Sequence, residues 1–125
     1  MDLFQLGDFI LASGARSEFK IDCDALSDNG LECLAYLLAR RCGWFAWAVG
    51  VPRGGLRLAN AINAGAYYTK HVTNAPTLIV DDVLTTGASM ELLRRRFPKA
   101  RGGVLFARGP CPDWITPLFR LEPLK

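Results

Sequence analysis

The chain alternates between apolar segments of strand length and segments in which apolar residues recur every three or four positions. The clearest helical segment follows Ser27, whose hydroxyl suits the N-cap position, and its apolar stripe runs from Leu31 to Leu38. It is predicted to end near Cys42 and Gly43, since glycine commonly terminates helices. The same spacing predicts two further helices, one after Pro52, Arg53, Gly54 and Gly55, and one from Ala88 to Arg96 that Phe97 and Pro98 close.

Continuous apolar runs predict the strands. Residues 44–51 are apolar almost throughout, which is typical of a strand buried on both faces of a parallel sheet, and residues 77–83 form the most strand-like segment. Near the N-terminus, residues 9–13 and 17–22 flank Gly14 and predict a β-hairpin. Strands that alternate with helices predict an α/β fold, with a central, mainly parallel sheet flanked by helices and a small N-terminal hairpin. Further strands are predicted at residues 67–72, 103–107 and 116–121.

Length and composition indicate a single domain without a membrane segment. Half of the 125 residues are hydrophobic, 22% are charged and the formal net charge is +3, as in ordinary globular proteins. A chain of this size supports one core, so we expect residues 1–125 to form one domain. No apolar run approaches the roughly 20 residues needed to cross a bilayer. The start at Met1 and Asp2 lacks the basic residues of a secretory signal.

The cysteines and the basic residues bear on the compartment and the partners. The four cysteines form no CxxC pair, so we expect reduced thiols and a cytoplasmic protein. Most of the basic excess lies in residues 94–96, with residues 40–41 as a second group. Such clusters on helices are typical of a solvated face, so we do not expect nucleic-acid binding. That function would require residues 94–96 to share one face with Lys99 and Arg101.

Two adjacent carboxylates mark the end of the most strand-like segment. Asp81 and Asp82 follow an apolar run, and such a strand exposes charges only where it ends, because burying unpaired charge is costly. They require hydroxyl groups, a cation or a metal as partners. The hydroxyl-bearing loop after them, residues 85–89, brings backbone N–H groups to a helix start, which favours a phosphate. This combination suits a ribose 5-phosphate; alternatively, the carboxylates merely end a strand and Thr85 or Thr86 caps a helix.

The other strand-to-helix junction, residues 50–55, has its own ligand-binding features, and we call it the first junction. Gly54 and Gly55 allow close backbone approach, and Arg53 carries the fork-shaped guanidinium that binds phosphates. Ligands of open parallel sheets bind beyond the carboxyl ends of the strands, so we expect both junctions to face one crevice. The alternative is a simple turn with a solvated arginine.

Residues 77–89 match, at every position, the motif by which type I phosphoribosyltransferases bind phosphoribosyl pyrophosphate (PRPP), and the chain resembles this family. Residues 50–59 resemble the pyrophosphate loop and the helix that follows it. The start of the chain narrows the resemblance to the orotate phosphoribosyltransferases, whose beginning is similar over residues 7–14 and at Ser17, Phe19 and Asp22.

The resemblance implies transfer of ribose 5-phosphate from PRPP to a nucleobase nitrogen, with Mg²⁺ on the diphosphate and a homodimeric assembly. Asp81 and Asp82 would hold the ribose hydroxyls, directly or through the metal. Arg108 would reach the base, which favours orotate or another pyrimidine; otherwise it is a surface arginine before a turn. By the same resemblance, the base would lie near Phe19 and Lys20. The pyrophosphate would face Val51, Pro52, Arg53 and Gly54. The 5-phosphate would contact Thr85, Thr86, Gly87, Ala88 and Ser89.

The chain departs from the orotate enzymes in its cationic groups. Those enzymes carry a long basic loop between the pyrophosphate-loop helix and the PRPP strand, where this chain has only residues 64–76. Lys70 and His71 are either a remnant that still reaches pyrophosphate or ordinary surface residues at a strand end. Ala12 and Gly54 stand where lysines occur in the family. Two hypotheses follow: a minimal phosphoribosyltransferase, which we prefer, and a non-catalytic regulatory module that binds PRPP or a nucleotide.

Overall fold

The structure, a computed structural model, describes residues 3–10, 16–65 and 74–121, with the backbone alone for 6–10 and 16–20. A two-stranded hairpin precedes a four-stranded sheet. None of the helices in these ranges is long and apolar enough to cross a membrane. In chain order, the elements are β1 (Phe4–Ile10), β2 (Arg16–Ile21), a 3-10 turn (Cys23–Ala25), α1 (Asp28–Cys42), β3 (Ala48–Gly50), α2 (Gly54–Ala64), β4 (Leu78–Leu84), α3 (Ala88–Arg94), β5 (Arg101–Arg108) and β6 (Ile115–Leu121).

The four strands of the sheet all run parallel, and they lie in the order in which they occur in the chain, β3-β4-β5-β6. This confirms the predicted α/β fold with a mainly parallel sheet. Leu78, Ile79 and Val80 of β4 are fully buried, as expected for a strand covered on both faces. Because the strands are parallel, the ends of β3, β4 and β5 share one edge of the sheet, which we call the C-terminal edge.

Helices cover both faces of the sheet. A Cβ atom on Gly103 of β5 would meet Leu38 of α1, whereas one on Gly102 would meet Met90 of α3. Successive residues of a strand point to opposite faces, so α1 and α3 lie on opposite sides. Helix α2 shares a buried hydrophobic cluster with α1. The sheet is thus the middle layer of three, and its C-terminal edge is left for the loops.

The three predicted helices are present. Helix α1 begins after Ser27, whose Oγ accepts a hydrogen bond from Gly30 N at 3.0 Å, and it ends at Cys42 as predicted. Helix α3 ends at Arg94 rather than at Arg96. The reason is that the N–H groups of the next residues bond three positions back, from Arg96 N to Leu93 O and from Phe97 N to Arg94 O, each at 3.0 Å, which turns the chain toward β5.

The predicted hairpin is present and starts earlier than the sequence indicated. Strand β1 begins at Phe4, and its antiparallel register pairs Phe4 with Ile21 and Ile10 with Arg16. Gly14, in the predicted turn, lies outside the described residues. The predicted strand at residues 67–72 also lies outside them.

The predicted strand over residues 44–51 is wrong in its bounds. Strand β3 covers only Ala48–Gly50, which pair with Leu78–Val80 of β4. The residues before it make single hydrogen bonds to the chain that enters β4, from Ala46 N to Pro76 O at 2.8 Å and from Leu78 N to Trp47 O at 2.9 Å, and these do not extend the strand. Before β3, the chain forms a loop that buries Phe45 but leaves Trp44 64% and Trp47 51% exposed. The unbroken apolar run therefore combines a short strand with a surface loop.

The connection between β5 and β6 is unusually short. Residues 109–114 join the two strands, whereas crossovers between parallel strands ordinarily need a dozen or more residues. Because Ile115 pairs with Gly102 and Leu121 pairs with Arg108, the link must return along nearly all of β5, about 20 Å at the ~3.3 Å rise of a strand. A link of this length has little to spare, although it ends in a turn in which Ile115 N donates to Pro112 O at 3.0 Å.

Candidate functional site

Two carboxylates stand side by side within β4, just past the level at which the neighbouring strand β3 ends. The prediction that they mark the end of their own strand is wrong, because β4 continues to Leu84 beside β5, whereas β3 ends at Gly50, opposite Val80. Asp81 and Asp82 are half-buried, and both are held by backbone N–H groups of their own strand. Asp82 N donates to Asp81 Oδ1 at 2.8 Å, and Val83 N donates to Asp82 Oδ1 at 2.8 Å. Each carboxylate is therefore fixed in orientation while keeping lone pairs for a ligand.

Burial and proximity make this pair of carboxylates electrostatically costly. The pKa of Asp81 is raised to about 8, mainly by burial and then by the hydrogen bond and negative charge of Asp82, while the Asp82 N–H partly offsets the rise. The pair holds a proton near neutral pH unless a cation or hydroxyl donors compensate its charge. Carboxyl groups perturbed in this way cluster at functional sites.

The first junction packs directly on these carboxylates. Val51 N donates to Val80 O at 2.9 Å, which holds the start of the junction beside β4. A Cβ atom on Gly54 would overlap the Asp82 carboxylate, and one on Gly55 would collide with Val80 O. Only glycine permits so close an approach. The structure thus brings the two predicted junctions together at one edge of the sheet.

A cavity of about 360 Å³ opens beside the contact between Gly54 and Asp82, and we call it the carboxylate cavity. Arg57 of α2 and Arg53, the residue before α2, line it. The segment after β2 contributes two further carboxylates, those of Asp22 and Asp24. The combination of carboxylates and guanidinium groups suits a ligand that carries both hydroxyl and phosphate groups. Its lining is Ile21, Asp22, Cys23, Asp24, Arg53, Gly54, Arg57 and Asp82.

Arg57 fixes the geometry of the carboxylate cavity. Its Nη2 donates to Leu26 O at 2.9 Å and to Asp28 Oδ1 at 3.0 Å, and its Nη1 donates to Cys23 O at 3.5 Å. Helix α2, which follows the first junction, is thereby tied to the segment that follows the hairpin. The sequence analysis missed this residue. The available signal was its position four residues after Arg53, which places both on one face of a helix.

The electrostatics of Cys23 show how closely the carboxylates surround this cavity. Its thiol pKa is raised to about 12, mainly by burial and then by the negative charges of Asp82, Asp22, Asp24 and Asp81. Four carboxylates therefore lie close enough to Cys23 to disfavour its thiolate form. The sequence analysis did not single out Asp24, because a lone acidic residue after a strand belongs to no motif.

The predicted phosphate loop meets the first junction at a second cavity. Ser89 lines this cavity of about 410 Å³ together with Val51 and Pro52. Thr86 is exposed, and its Oγ1 accepts a hydrogen bond from Ala88 N at 3.3 Å, within the loop itself. The structure thus brings Ser89 to the first junction, whereas Thr85, Thr86, Gly87 and Ala88 line neither of these two cavities.

The other predicted site residues lie at the end of β5, in the hairpin or outside the described residues. Arg108 is the last residue of β5, so it lies at the C-terminal edge, where burial lowers the pKa of its guanidinium. Phe19 and Lys20 lie on β2 and pair with β1 in the hairpin. Lys70 and His71 lie outside the described residues.

Solved structures resemble this chain over most of its length. The orotate phosphoribosyltransferase from Aeropyrum pernix is 28% identical, with a TM-score of 0.68, and the match covers 86% of this chain and 77% of that one. The fold is that of the type I phosphoribosyltransferases. The resemblance to this family, and to its orotate enzymes in particular, is confirmed.

Two further matches concern the fold of the type I phosphoribosyltransferases alone, because each is only 18% identical. UMP synthase from Leishmania donovani has a TM-score of 0.71; the match covers 95% of this chain and 34% of that protein. The purine phosphoribosyltransferase from Pyrococcus horikoshii has a TM-score of 0.53, with 80% of this chain and 95% of that one covered. Neither a protein-family model nor a curated protein sequence matches the chain.

Proposed function

We propose that this chain transfers ribose 5-phosphate from PRPP to a nucleobase, orotate or another pyrimidine, and releases pyrophosphate. The observation that carries the proposal is the packing of Gly54 on the Asp82 carboxylate. It sets the loop assigned to the diphosphate beside the carboxylates assigned to the ribose, so both ends of the bond that breaks would lie in one site. The similarity to the orotate phosphoribosyltransferase of Aeropyrum pernix supports the same activity.

The proposed reaction needs charge stabilisation more than a nucleophile. The bond from ribose C1 to the diphosphate oxygen breaks, a bond from C1 to a base nitrogen forms, and C1 inverts. The proton of that nitrogen passes to the pyrophosphate or to solvent. Positive charge grows on the ribose as the first bond breaks, and Asp81 and Asp82 stabilise it while they hold the ribose hydroxyls. Arg53 and the backbone of residues 51–54 hold the departing pyrophosphate, and residues 85–89 hold the 5-phosphate.

Mg²⁺ on the diphosphate is part of the proposal, and the two carboxylates fit it. In residues 3–10, 16–65 and 74–121, no group of three or more His, Cys, Asp or Glu side chains is placed to hold a metal by itself. Mg²⁺ needs no such cage, since it commonly binds one or two carboxylates together with water and substrate phosphates. Asp81 and Asp82 would supply those carboxylates. When bound, the ion neutralises charge on the departing pyrophosphate.

The remaining assignments rest on the family resemblance. By that resemblance Arg108 would reach the base, with Phe19 and Lys20 near it. Lys70 and His71, which lie outside the described residues, are assigned to the pyrophosphate on the same ground. A guanidinium at the base favours an acidic pyrimidine such as orotate, because it binds carboxylates in a bidentate manner. We further propose a homodimer that works in the cytoplasm. Sedimentation velocity of the purified chain tests the assembly, and a single species of monomer mass would contradict it.

Calorimetric titration with PRPP and Mg²⁺ tests the site, and a pyrophosphate-release assay across a nucleobase panel tests the reaction. Wild-type chain should bind PRPP, and a pyrimidine should trigger release. Asp82→Asn should weaken binding by about tenfold, because a charged hydrogen-bonding group is lost. Asp113→Asn is the matched control, since Asp113 is exposed and lies before β6, which β5 separates from β4, and it should change neither readout. Absence of PRPP binding, or an equal loss in both variants, would contradict the proposal.

A second function, binding without catalysis, is favoured by one observation. Only residues 65–77 connect α2 to β4, where the orotate enzymes carry a long basic loop. A short connection offers fewer groups to exclude water and to offset the charge of pyrophosphate. If Asp82→Asn weakens PRPP binding but no base in the panel triggers release, the chain is a regulatory module that binds PRPP or a nucleotide.

A further inference from the structure

Helix α3 has the fewest buried residues of the described α-helices, although it directly follows the loop assigned to the 5-phosphate. It is seven residues long, and Met90 is its one buried residue, whereas α1 has five and α2 has four. Gly87, which precedes α3 in the left-handed conformation, has no side chain that could cap the first turn. The position of residues 85–89 therefore depends on the other contacts that α3 makes.

A polar contact with Trp114 supplies a second attachment of α3. The indole Nε1 of Trp114 donates a hydrogen bond to Oε1 of Glu91 at 2.8 Å. Arg94 lies over the same ring, with its Cζ 4.5 Å from the ring centroid, and its Nη1 is 3.6 Å from Glu91 Oε1. Both charged side chains of α3 are thus bound to one indole ring or to each other.

Trp114 is itself fixed to the sheet. Its backbone oxygen accepts a hydrogen bond from Gly102 N at 2.8 Å, near the start of β5. A Cβ atom on Gly102 would lie 2.9 Å from Cζ3 of the Trp114 ring, so the ring rests against the β5 backbone at a distance that only glycine permits. Trp114 therefore connects α3 to the sheet as a fixed support.

Glu91 connects this support with the loop that precedes α3. Its backbone N donates to Gly87 O at 2.9 Å, while its side chain accepts the hydrogen bond of Trp114. Ser89, which lines the cavity at the first junction, is two residues from Glu91 and hence about 200° away around the helix axis. The bond to Trp114 also keeps the negative charge of Glu91 on the side of α3 opposite Ser89.

We propose that Trp114 is a positioning residue for the 5-phosphate, because its hydrogen bond to Glu91 holds residues 85–89 in the geometry that binds this group. The inference rests on the proposed function, which assigns the 5-phosphate to these residues. Trp114 lines neither the carboxylate cavity nor the cavity at Ser89, so it acts through Glu91. Pyrophosphate, which the proposed function assigns to the first junction, does not need this support.

Calorimetric titration of the full chain with ribose 5-phosphate and, separately, with pyrophosphate and Mg²⁺ tests the inference. Trp114→Phe keeps an aromatic ring and loses the N–H donor. It should weaken binding of ribose 5-phosphate about threefold to tenfold, as the loss of one hydrogen bond implies. Binding of pyrophosphate should stay within about twofold of the wild type, because distant sites respond independently. Trp44→Phe, at an exposed tryptophan in the loop before β3, is the matched control and should change neither affinity.

Two substitutions of Glu91 separate its hydrogen bond from its charge. Glu91→Gln retains an oxygen that accepts from the indole N–H, so it should bind ribose 5-phosphate as the wild type does. Glu91→Ala removes the acceptor and should resemble Trp114→Phe. A loss in Glu91→Gln as large as that in Glu91→Ala would overturn the inference, because the charge and not the hydrogen bond would then matter.

Amide hydrogen exchange of the free chain gives a readout that needs no ligand. The N–H groups of Glu91 and of the following residues of α3 should exchange faster in Trp114→Phe than in the wild type, while those of α1 keep their rates. Unchanged exchange in α3 would overturn the inference. An equal loss of affinity for both ligands in Trp114→Phe would also overturn it, since that result indicates a general disturbance of the fold.

Failure of the proposed function would give a different result. Wild-type chain would then bind neither ribose 5-phosphate nor pyrophosphate, and the exchange rates of α3 would still decide whether Trp114 fixes this helix. Thermal melting by circular dichroism verifies that each variant keeps its fold.

Discussion

Gly54 lies so close to the Asp82 carboxylate that a single added carbon atom would overlap it. The contact joins the two strand-to-helix junctions, and it is the point where the proposed diphosphate and ribose sides of the site meet. Some orotate enzymes have a lysine where this chain has Gly54. A lysine side chain has no room here unless the carboxylate or the start of α2 moves. The close contact with Asp82 is therefore possible only because position 54 carries no side chain.

Gly54→Ala should damage both the site and the stability of the fold. The added methyl group must displace the carboxylate or the helix start, and overpacking of this kind costs about 1–3 kcal/mol. We expect a lower free energy of unfolding in urea, and PRPP affinity in the presence of Mg²⁺ reduced about tenfold, as a loss of 1.4 kcal/mol implies.

Gly30→Ala provides the matched control for that substitution. Its added Cβ atom would lie 3.1 Å from the Ser27 hydroxyl and would meet no site residue. The free energy of unfolding should change by no more than about 1 kcal/mol, because alanine is the better helix former. PRPP affinity should be that of the wild type. Identical behaviour of the two variants would show that the first junction can withdraw from β4 at no cost.

Arg57→Ala should destabilise the chain by about 2 kcal/mol, since three backbone and side-chain acceptors lose a charged donor. The control is Asp28→Asn, which removes the ion pair of Arg57 and the favourable charge of Asp28 in the first turn of α1. The side chain of Asp28 is 92% exposed, and exposed pairs contribute little. Urea denaturation measures both. A loss in Asp28→Asn as large as that in Arg57→Ala would mean that the ion pair, and not the bonds to the carbonyls, holds the two segments together.

The four cysteines are free thiols in different environments. Burial raises the pKa of Cys42 to about 12, and burial with nearby carboxylates raises that of Cys23 to about 12. The thiolate is the reactive form, so a raised pKa keeps both thiols unreactive until the pH approaches that value. At about pH 8 iodoacetamide should label exposed Cys33 first and spare Cys23 and Cys42.

Peptide mass spectrometry of native and urea-unfolded chain, labelled side by side, measures this order. Raising the pH to about 9 should leave Cys23 and Cys42 protected, because that pH is still far below their pKa values. Labelling of either one at the rate of Cys33 in the native chain would be inconsistent with their burial.

The elements that could be predicted from the sequence are those with local signals. Helix α1 carries its own N-cap at Ser27 and its own terminating glycine at Gly43, so both ends were predicted. The position of the carboxylates was visible in the change from apolar residues to Asp81 and Asp82, although β4 continues past them to Leu84. The alternation of strand and helix patterns can be read along the chain, and it was sufficient to predict the α/β fold.

What could not be predicted depends on contacts between distant segments. Trp44 and Trp47 are as apolar as the residues of β3, and only the pairing with β4, which begins at Ala48, separates the strand from the loop that exposes them. The role of Arg57 requires knowing that the 3-10 turn lies beside α2.

The short link between β5 and β6 makes this part of the chain less tolerant of a deletion than of an insertion. Removing a residue from 109–114 would either open the turn in which Ile115 N donates to Pro112 O or make β6 slip by one position, and such a slip turns every side chain of a strand to the opposite face. After a slip, Phe119, which stacks on Phe106 with ring centroids 5.5 Å apart, would leave that contact. An added residue only supplies slack, at a small cost in loop entropy. Homologous chains should therefore show insertions at this link more often than deletions.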